Sequence, residues 1–219
     1  MAAHCSQQER SADAANAAHT SSPATLGLIL AGGQGRRIGG RDKAWLRLHG
    51  RPLICHVQQR LQPQVTQVLV SANRHRWAYA RLGLDSLADA PQWSQRGPLA
   101  AVASAWERHP TAWLAIVPVD CPLAPRDQVQ RLRAALATGG HAAALRSGDR
   151  QQPLFGPLSP ALATAAISAL RDARPPSMRQ WLDDQGAQWI DYPDPDGCVF
   201  ANINRIDDLH FLERACKRD

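Results

Sequence analysis

Residues 26 to 43 read LGLILAGGQGRRIGGRDK, and the two halves of this stretch pull in opposite chemical directions. Leu26 to Ala31 is an unbroken run of small apolar residues closing on Gly32, the pattern of a strand buried on both faces of a parallel sheet. Leu30 to Lys43 then gathers five glycines, three arginines and one lysine. Glycines let backbone amides approach an anion with no side chain in the way, and the cations offset its charge. A triphosphate suits such a loop. It is not a Walker loop, since no Gly-Lys-Ser/Thr closes it, and Arg36 and Arg37 crowd the place where a dinucleotide-binding helix would open. The alternative is a flexible basic turn.

Outward from this stretch the chain alternates. Pro52 opens a helix with Leu53, Ile54, Val57 and Leu61 on one face, and Val65 to Val70 reads as the next strand. Helices are expected near Arg74 to Leu82 and Pro98 to Arg108, then a strand from Trp113 to Val119 running into Asp120. A helix near Asp127 to Ala137, strands near His141 to Arg146 and Pro153 to Leu158, and helices near Pro160 to Leu170 and Ser177 to Asp184 complete the pattern. Such alternation predicts a three-layer αβα, Rossmann-like fold with a mainly parallel central sheet and ligands bound where strands end in loops. Residues 1–24, rich in Ala, Ser, Gln and His, read as a disordered tail without a signal peptide, leaving 25–219 as a single domain.

A formal charge of +6 suits an anionic partner, but the basic residues are scattered and do not alternate with aromatics, which argues against nucleic acid. No apolar run is long enough for a membrane span. Cys5, Cys55, Cys121, Cys198 and Cys216 are odd in number and widely spaced, as expected of reduced thiols in a cytoplasmic protein. Of the 25 basic residues only Lys43 and Lys217 are lysines. In an arginine-rich chain, a lysine closing the glycine-rich stretch points to a compact point charge on phosphate. Asp120, at a strand's end, is a hard oxygen ligand suited to Mg²⁺ together with substrate phosphates, or else a cap for the turn before Pro122.

LILAGGQGRRIGGRDK resembles the nucleotide-binding signature of the molybdenum cofactor guanylyltransferases, with Ile38 where methionine is usual. The resemblance continues through LHGRP from Leu48, VLVSANRH from Val68, Asp89, GPLA from Gly97, VPVDCP from Val117 and FANINRIDDL from Phe200. It implies a nucleotidyltransferase in which the terminal phosphate of molybdopterin, already carrying molybdenum, attacks the α-phosphorus of GTP with Mg²⁺, releasing pyrophosphate. By the same resemblance Lys43, Arg37 and Asp120 are the catalytic groups. Leu30, Ala31, Gly32, Gly33, Ser71 and Asp89 lie at the nucleotide, with Ser71 where relatives carry an asparagine and Asn73 able to compensate. Gln152, Pro153, Asn202 and Asn204 face the pterin. Asn204 could instead cap the last helix, and Asp89 could be a turn residue. Implied partners beyond the two substrates are molybdenum insertion proteins and molybdoenzyme chaperones, with the enzyme a monomer. Competing readings are the same fold acting on CTP or a sugar phosphate, and a noncatalytic nucleotide sensor or cofactor chaperone.

Overall fold

The computed structural model describes residues 24–33 and 42–215. Residues 1–23 of the expected tail, and Arg37, lie outside the described residues. The apolar run forms β1 (Thr25–Leu30). A short 3₁₀ turn (Lys43–Trp45) and the hairpin β2 (Arg47–Leu48) and β3 (Arg51–Pro52) lead into α1 (Leu53–Leu61). Then come β4 (Gln67–Ser71), α2 (Arg76–Ala80), β5 (Asp85–Leu87), α3 (Pro98–Arg108) and β6 (Trp113–Pro118). The remainder is α4 (Gln128–Ala135), β7 (Ala143–Ser147), β8 (Arg150–Gln152), β9 (Gly156–Leu158), α5 (Ala163–Arg171), α6 (Met178–Asp184), β10 (Gln188–Asp191) and α7 (Ile206–Ala215).

The central sheet has the order β5-β4-β1-β6-β9, parallel except for β9. Its strands alternate side chains between two faces, and each face builds its own core. Leu26 and Leu28 of β1, Leu69 of β4 and Leu114 and Ile116 of β6 pack with Leu99, Val102 and Trp106 of α3 and with α5 and α6. Ile29, Val68, Val70, Ala115 and Val117 face the other way, onto Ile54, Val57 and Leu61 of α1, Tyr79 of α2 and Val129 and Leu132 of α4. The three layers expected from the alternation are therefore present, with burial of each Leu or Ile in these cores contributing about 1.5–3 kcal/mol.

Some expected elements change. The strand from Pro153 to Leu158 is broken, because Pro153 and Leu154 turn the chain between β8 and β9. The helix expected from Arg74 starts at Arg76, because His75 has a left-handed backbone with φ of 53°. Cys198 is disulfide-bonded, which corrects the expectation of five reduced thiols, while Cys55 and Cys121 are free. Sequence spacing says nothing of sulfurs that the fold brings within bonding distance. No described helix is long and apolar enough to cross a membrane.

The sheet β10-β7-β8 joins the central one where β7 passes β9: Leu145 N–H donates to the Phe155 carbonyl at 3.1 Å and Ser159 N–H to the His141 carbonyl at 2.7 Å. Gly156 makes this crossing feasible, since a Cβ on it would lie 2.0 Å from the Ala143 carbonyl oxygen. The three nearest atoms, from Ala143 and Ala144, are all backbone, so nothing can swing aside. Gly156→Ala is expected to destabilise the fold by about 3 kcal/mol. Chemical denaturation should show this as a lower midpoint at unchanged slope; an unshifted midpoint would mean the strands can part without cost.

Candidate active site

β1 is followed through α1 by β4 on one side, whereas β6 arrives through α3 on its other side, so the loops after β1 and β6 diverge. This is the switch point of an open α/β sheet, where a crevice forms at the carboxyl ends of the strands. Backbone hydrogen bonds pin both loops to it. Val119 N–H donates to the Leu30 carbonyl at 3.1 Å and Ala31 N–H to the Ser71 carbonyl at 2.9 Å. Beyond Ala31, Gly32 and Gly33 have neither a positive φ nor a packing neighbour closer than 3.9 Å to a notional Cβ. The fold does not require glycine there, so the missing side chains leave room for a guest.

Lys43 and Asp120 meet across the crevice. Lys43 Nζ donates to Asp120 Oδ2 at 2.7 Å and to Asn204 Oδ1 at 2.6 Å. The lysine and aspartate side chains are 24% and 21% exposed, sheltered but open to a ligand. Asp120 is not a turn cap. Backbone bonds from Cys121 N–H to the Pro118 carbonyl and from Ala124 N–H to the Cys121 carbonyl make that turn, and the Asp120 carbonyl accepts from Ile203 N–H at 2.9 Å. Nor does Asn204 cap α7 with its side chain. Asp208 does so, its Oδ2 accepting from the N–H of Asn204 at 2.7 Å and of Arg205 at 2.8 Å, which frees the Asn204 amide for Lys43.

Cys121 is fully buried. Burial and then the negative charge of Asp120 hold its thiol well above the ordinary range, with Lys43 opposing weakly. The protonated Sγ donates to Asn202 Oδ1 at 2.6 Å, so it serves as a strut and is no thiolate nucleophile. Asn73 and Asp89 pair with each other: Asn73 Nδ2 donates to Asp89 Oδ2 at 2.7 Å and Asp89 N–H to Asn73 Oδ1 at 2.9 Å. Ser71 is buried at the end of β4. The Leu30 carbonyl and the Ala31 N–H are engaged by Val119 N–H and the Ser71 carbonyl.

Gln152 and Asn202 line a cavity of about 470 Å³ between the β7–β8 hairpin, the segment 194–202 and α7. Arg150, Asp194 and Phe211, outside every quoted motif, also line it, as does Asp208, which stood within FANINRIDDL without being singled out. Pro153 lies in the turn after β8 and Asn204 at Lys43, neither on the cavity wall. Among the described residues no three His, Cys, Asp or Glu side chains gather as a metal cage. Asp42, Arg74 and His75 also bear on the site and were not singled out, although DK and NRH stood within the quoted motifs.

Comparison with known proteins identifies the family and the fold. Residues 27–199 match the MobA-like NTP transferase domain family. The chain is similar to a molybdenum cofactor guanylyltransferase of Shewanella loihica, 36% identical over 195 residues that cover 89% of this chain and 98% of the relative. It is likewise similar to one of Cupriavidus metallidurans, 37% identical over 194 residues that cover 85% and 93% of the two chains. The structure of molybdopterin-guanine dinucleotide biosynthesis protein A from Archaeoglobus fulgidus shares the fold, with a TM-score of 0.69 at 23% identity over 87% of this chain and 98% of that one. With its glycine-rich loop, lysine and strand-end aspartate set at one switch point, the chain belongs to the MobA-like NTP transferase family.

Proposed function

We propose that this protein transfers GMP from GTP to the terminal phosphate of molybdenum-loaded molybdopterin, releasing pyrophosphate and forming the guanine dinucleotide cofactor. The observation that carries the reading is the Lys43–Asp120–Asn204 cluster at the switch point of a chain so similar to curated guanylyltransferases. A phosphate oxygen of molybdopterin attacks the α-phosphorus; one P–O bond forms, the bond to the β-phosphate oxygen breaks, and pyrophosphate leaves. No covalent enzyme intermediate is needed. The work of the protein is to align two phosphates and offset the charge that builds on them.

Lys43 is suited to this. Its ammonium neutralises Asp120 in the free protein and can exchange the carboxylate for phosphate oxygens when a triphosphate enters. Asp120 fits Mg²⁺: a single hard carboxylate at a crevice, with phosphates and water completing the shell, is the arrangement this ion accepts. When bound, Mg²⁺ would offset charge on the phosphates. Asn202 and Gln152 face the cavity that would take the pterin, which lies next to the cluster because Asn202 and Asn204 bracket Ile203. In this reading Pro153 shapes the turn behind Gln152, Asp89 orders Asn73 beside the nucleotide, and Arg37 adds positive charge at the phosphates.

Base choice is tested by incubating the protein with molybdopterin, Mg²⁺ and either GTP or CTP. Guanine dinucleotide should accumulate with GTP, and CTP should turn over at least about tenfold more slowly, the margin that roughly 1.4 kcal/mol of differential contact supplies. Equal or faster turnover on CTP would move the chain to a cytidylyltransferase, and no product with either nucleotide to a noncatalytic nucleotide-binding protein.

A further inference from the structure

Two consecutive residues after β4 grip the glycine-rich stretch at both of its described ends. Arg74 Nη2 donates to the Gly33 carbonyl at 3.0 Å, and His75 Nδ1 lies 3.3 Å from Asp42 Oδ2. We infer that Arg74 and His75 are positioning residues for the triphosphate, a clasp that holds Gly33 and Asp42 and thereby sets where Lys43 stands. The inference rests on the reading that this stretch holds the triphosphate of the substrate.

Asp42 transmits the constraint. While Oδ2 faces His75, Oδ1 accepts from Ala44 N–H at 3.1 Å and so opens the 3₁₀ turn whose first residue is Lys43. The Asp42 side chain is 8% exposed, so its two partners face little competition from water. Tyr79 stands behind it; burial and then the Asp42 carboxylate hold the phenol well above its ordinary value, so it stays neutral. The Tyr79 ring packs 5.1 Å from that of Trp45, the last residue of the turn. From the carboxylate to the ammonium the path is two residues of fixed backbone, and Lys43 Nζ then reaches Asp120 and Asn204.

His75 itself carries the second sign of this role. It occupies the N-cap position of α2 with φ of 53°, in a region that asparagine and glycine adopt at less cost, yet its side chain caps nothing in its own helix. The ring instead crosses to Asp42. Backbone strain kept for a contact with another loop is characteristic of sites where geometry is imposed.

The clasp acts on binding more than on chemistry. Without it, the ends of the stretch must be brought into place at the expense of triphosphate affinity, whereas once the nucleotide is seated Lys43 already touches it. Arg74→Ala and His75→Ala are each expected to raise the KM for GTP about tenfold, the effect of one charge-assisted hydrogen bond, with kcat falling less than about threefold. The KM for molybdopterin should stay within about twofold and the thermal midpoint should hold. His75→Asn, whose amide can donate and whose backbone tolerates the left-handed region, should restore most of the affinity. In an Asp42→Asn background His75→Ala should add little, because both changes cut one connection.

Calorimetric titration of each variant with Mg²⁺ and GTP gives the same ratio without turnover. An unchanged GTP affinity in both alanine variants overturns the clasp, as do additive effects in the Asp42 double variant. A wild-type protein that binds CTP in preference to GTP would overturn the base assignment alone, since the same ratios are then read with CTP. Absence of any triphosphate binding would sink both.

Discussion

Lys43→Ala is expected to lower kcat about a hundredfold, the effect of removing one preorganised donor from the place where charge develops. Its ammonium contacts a carboxylate and an amide at 2.7 and 2.6 Å in the free protein, and no second lysine lies among the described residues to replace it. The loss should be catalytic rather than structural. An ion pair whose two side chains are 24% and 21% exposed is stabilising by less than about 1 kcal/mol, so the denaturation midpoint should scarcely move. Lys43→Arg should rescue poorly, because a planar guanidinium cannot occupy the point between Asp120 Oδ2 and Asn204 Oδ1. Single-turnover rates at saturating GTP decide the matter; a rate within threefold of wild type would remove Lys43 from the chemistry.

Asp120→Asn is expected to cost a similar factor, about a hundredfold in kcat, by a different route. The introduced amide retains the shape of the side chain and can still accept from Lys43, and the Ile203 N–H bond to the backbone carbonyl is untouched. What disappears is the negative charge. If that charge holds Mg²⁺, the magnesium concentration for half-maximal rate should rise steeply, while Lys43→Ala should leave it nearly unchanged. Titrating the metal against rate in the two variants therefore separates an ion ligand from a phosphate ligand. Identical magnesium curves for Asp120→Asn and wild type would reduce Asp120 to a counterion of Lys43. Near-normal turnover in both variants would favour a protein that binds the nucleotide without transferring it.

What could be read beforehand followed the strength of local patterns. β1 and β6 were legible because a strand covered on both faces must be apolar throughout, as LGLIL and WLAIV are. β5, β8 and β10 were not. They are three or four residues long, half-exposed and polar in places such as Arg150–Gln152, and they are strands only because partner strands supply the other half of their hydrogen bonds, β8 across a tight hairpin to β7 and β10 from far along the chain. At the site, the ends of β1 and β6 placed Lys43 and Asp120 in one region, since parallel order carries both loops to one edge. The third member could not be seen in that way. Asn204 read equally well as a helix cap, and only the capture of that duty by Asp208 sends its amide to the lysine. His75 was hidden for a related reason: its role depends on a backbone conformation that its sequence neighbours do not signal.

The spacing of the Lys43 contacts bears on how the protein comes into being. Asp120 lies 77 residues after the lysine and Asn204 a further 84, 161 in all. A ribosome that has released β1, β4 and β6 has made most of the central sheet but still lacks the segment that accepts from Lys43 and props Cys121. In this reading competence waits for the segment that carries Asn202 and Asn204, and a nascent chain can collapse around its sheet before it is able to consume nucleotide.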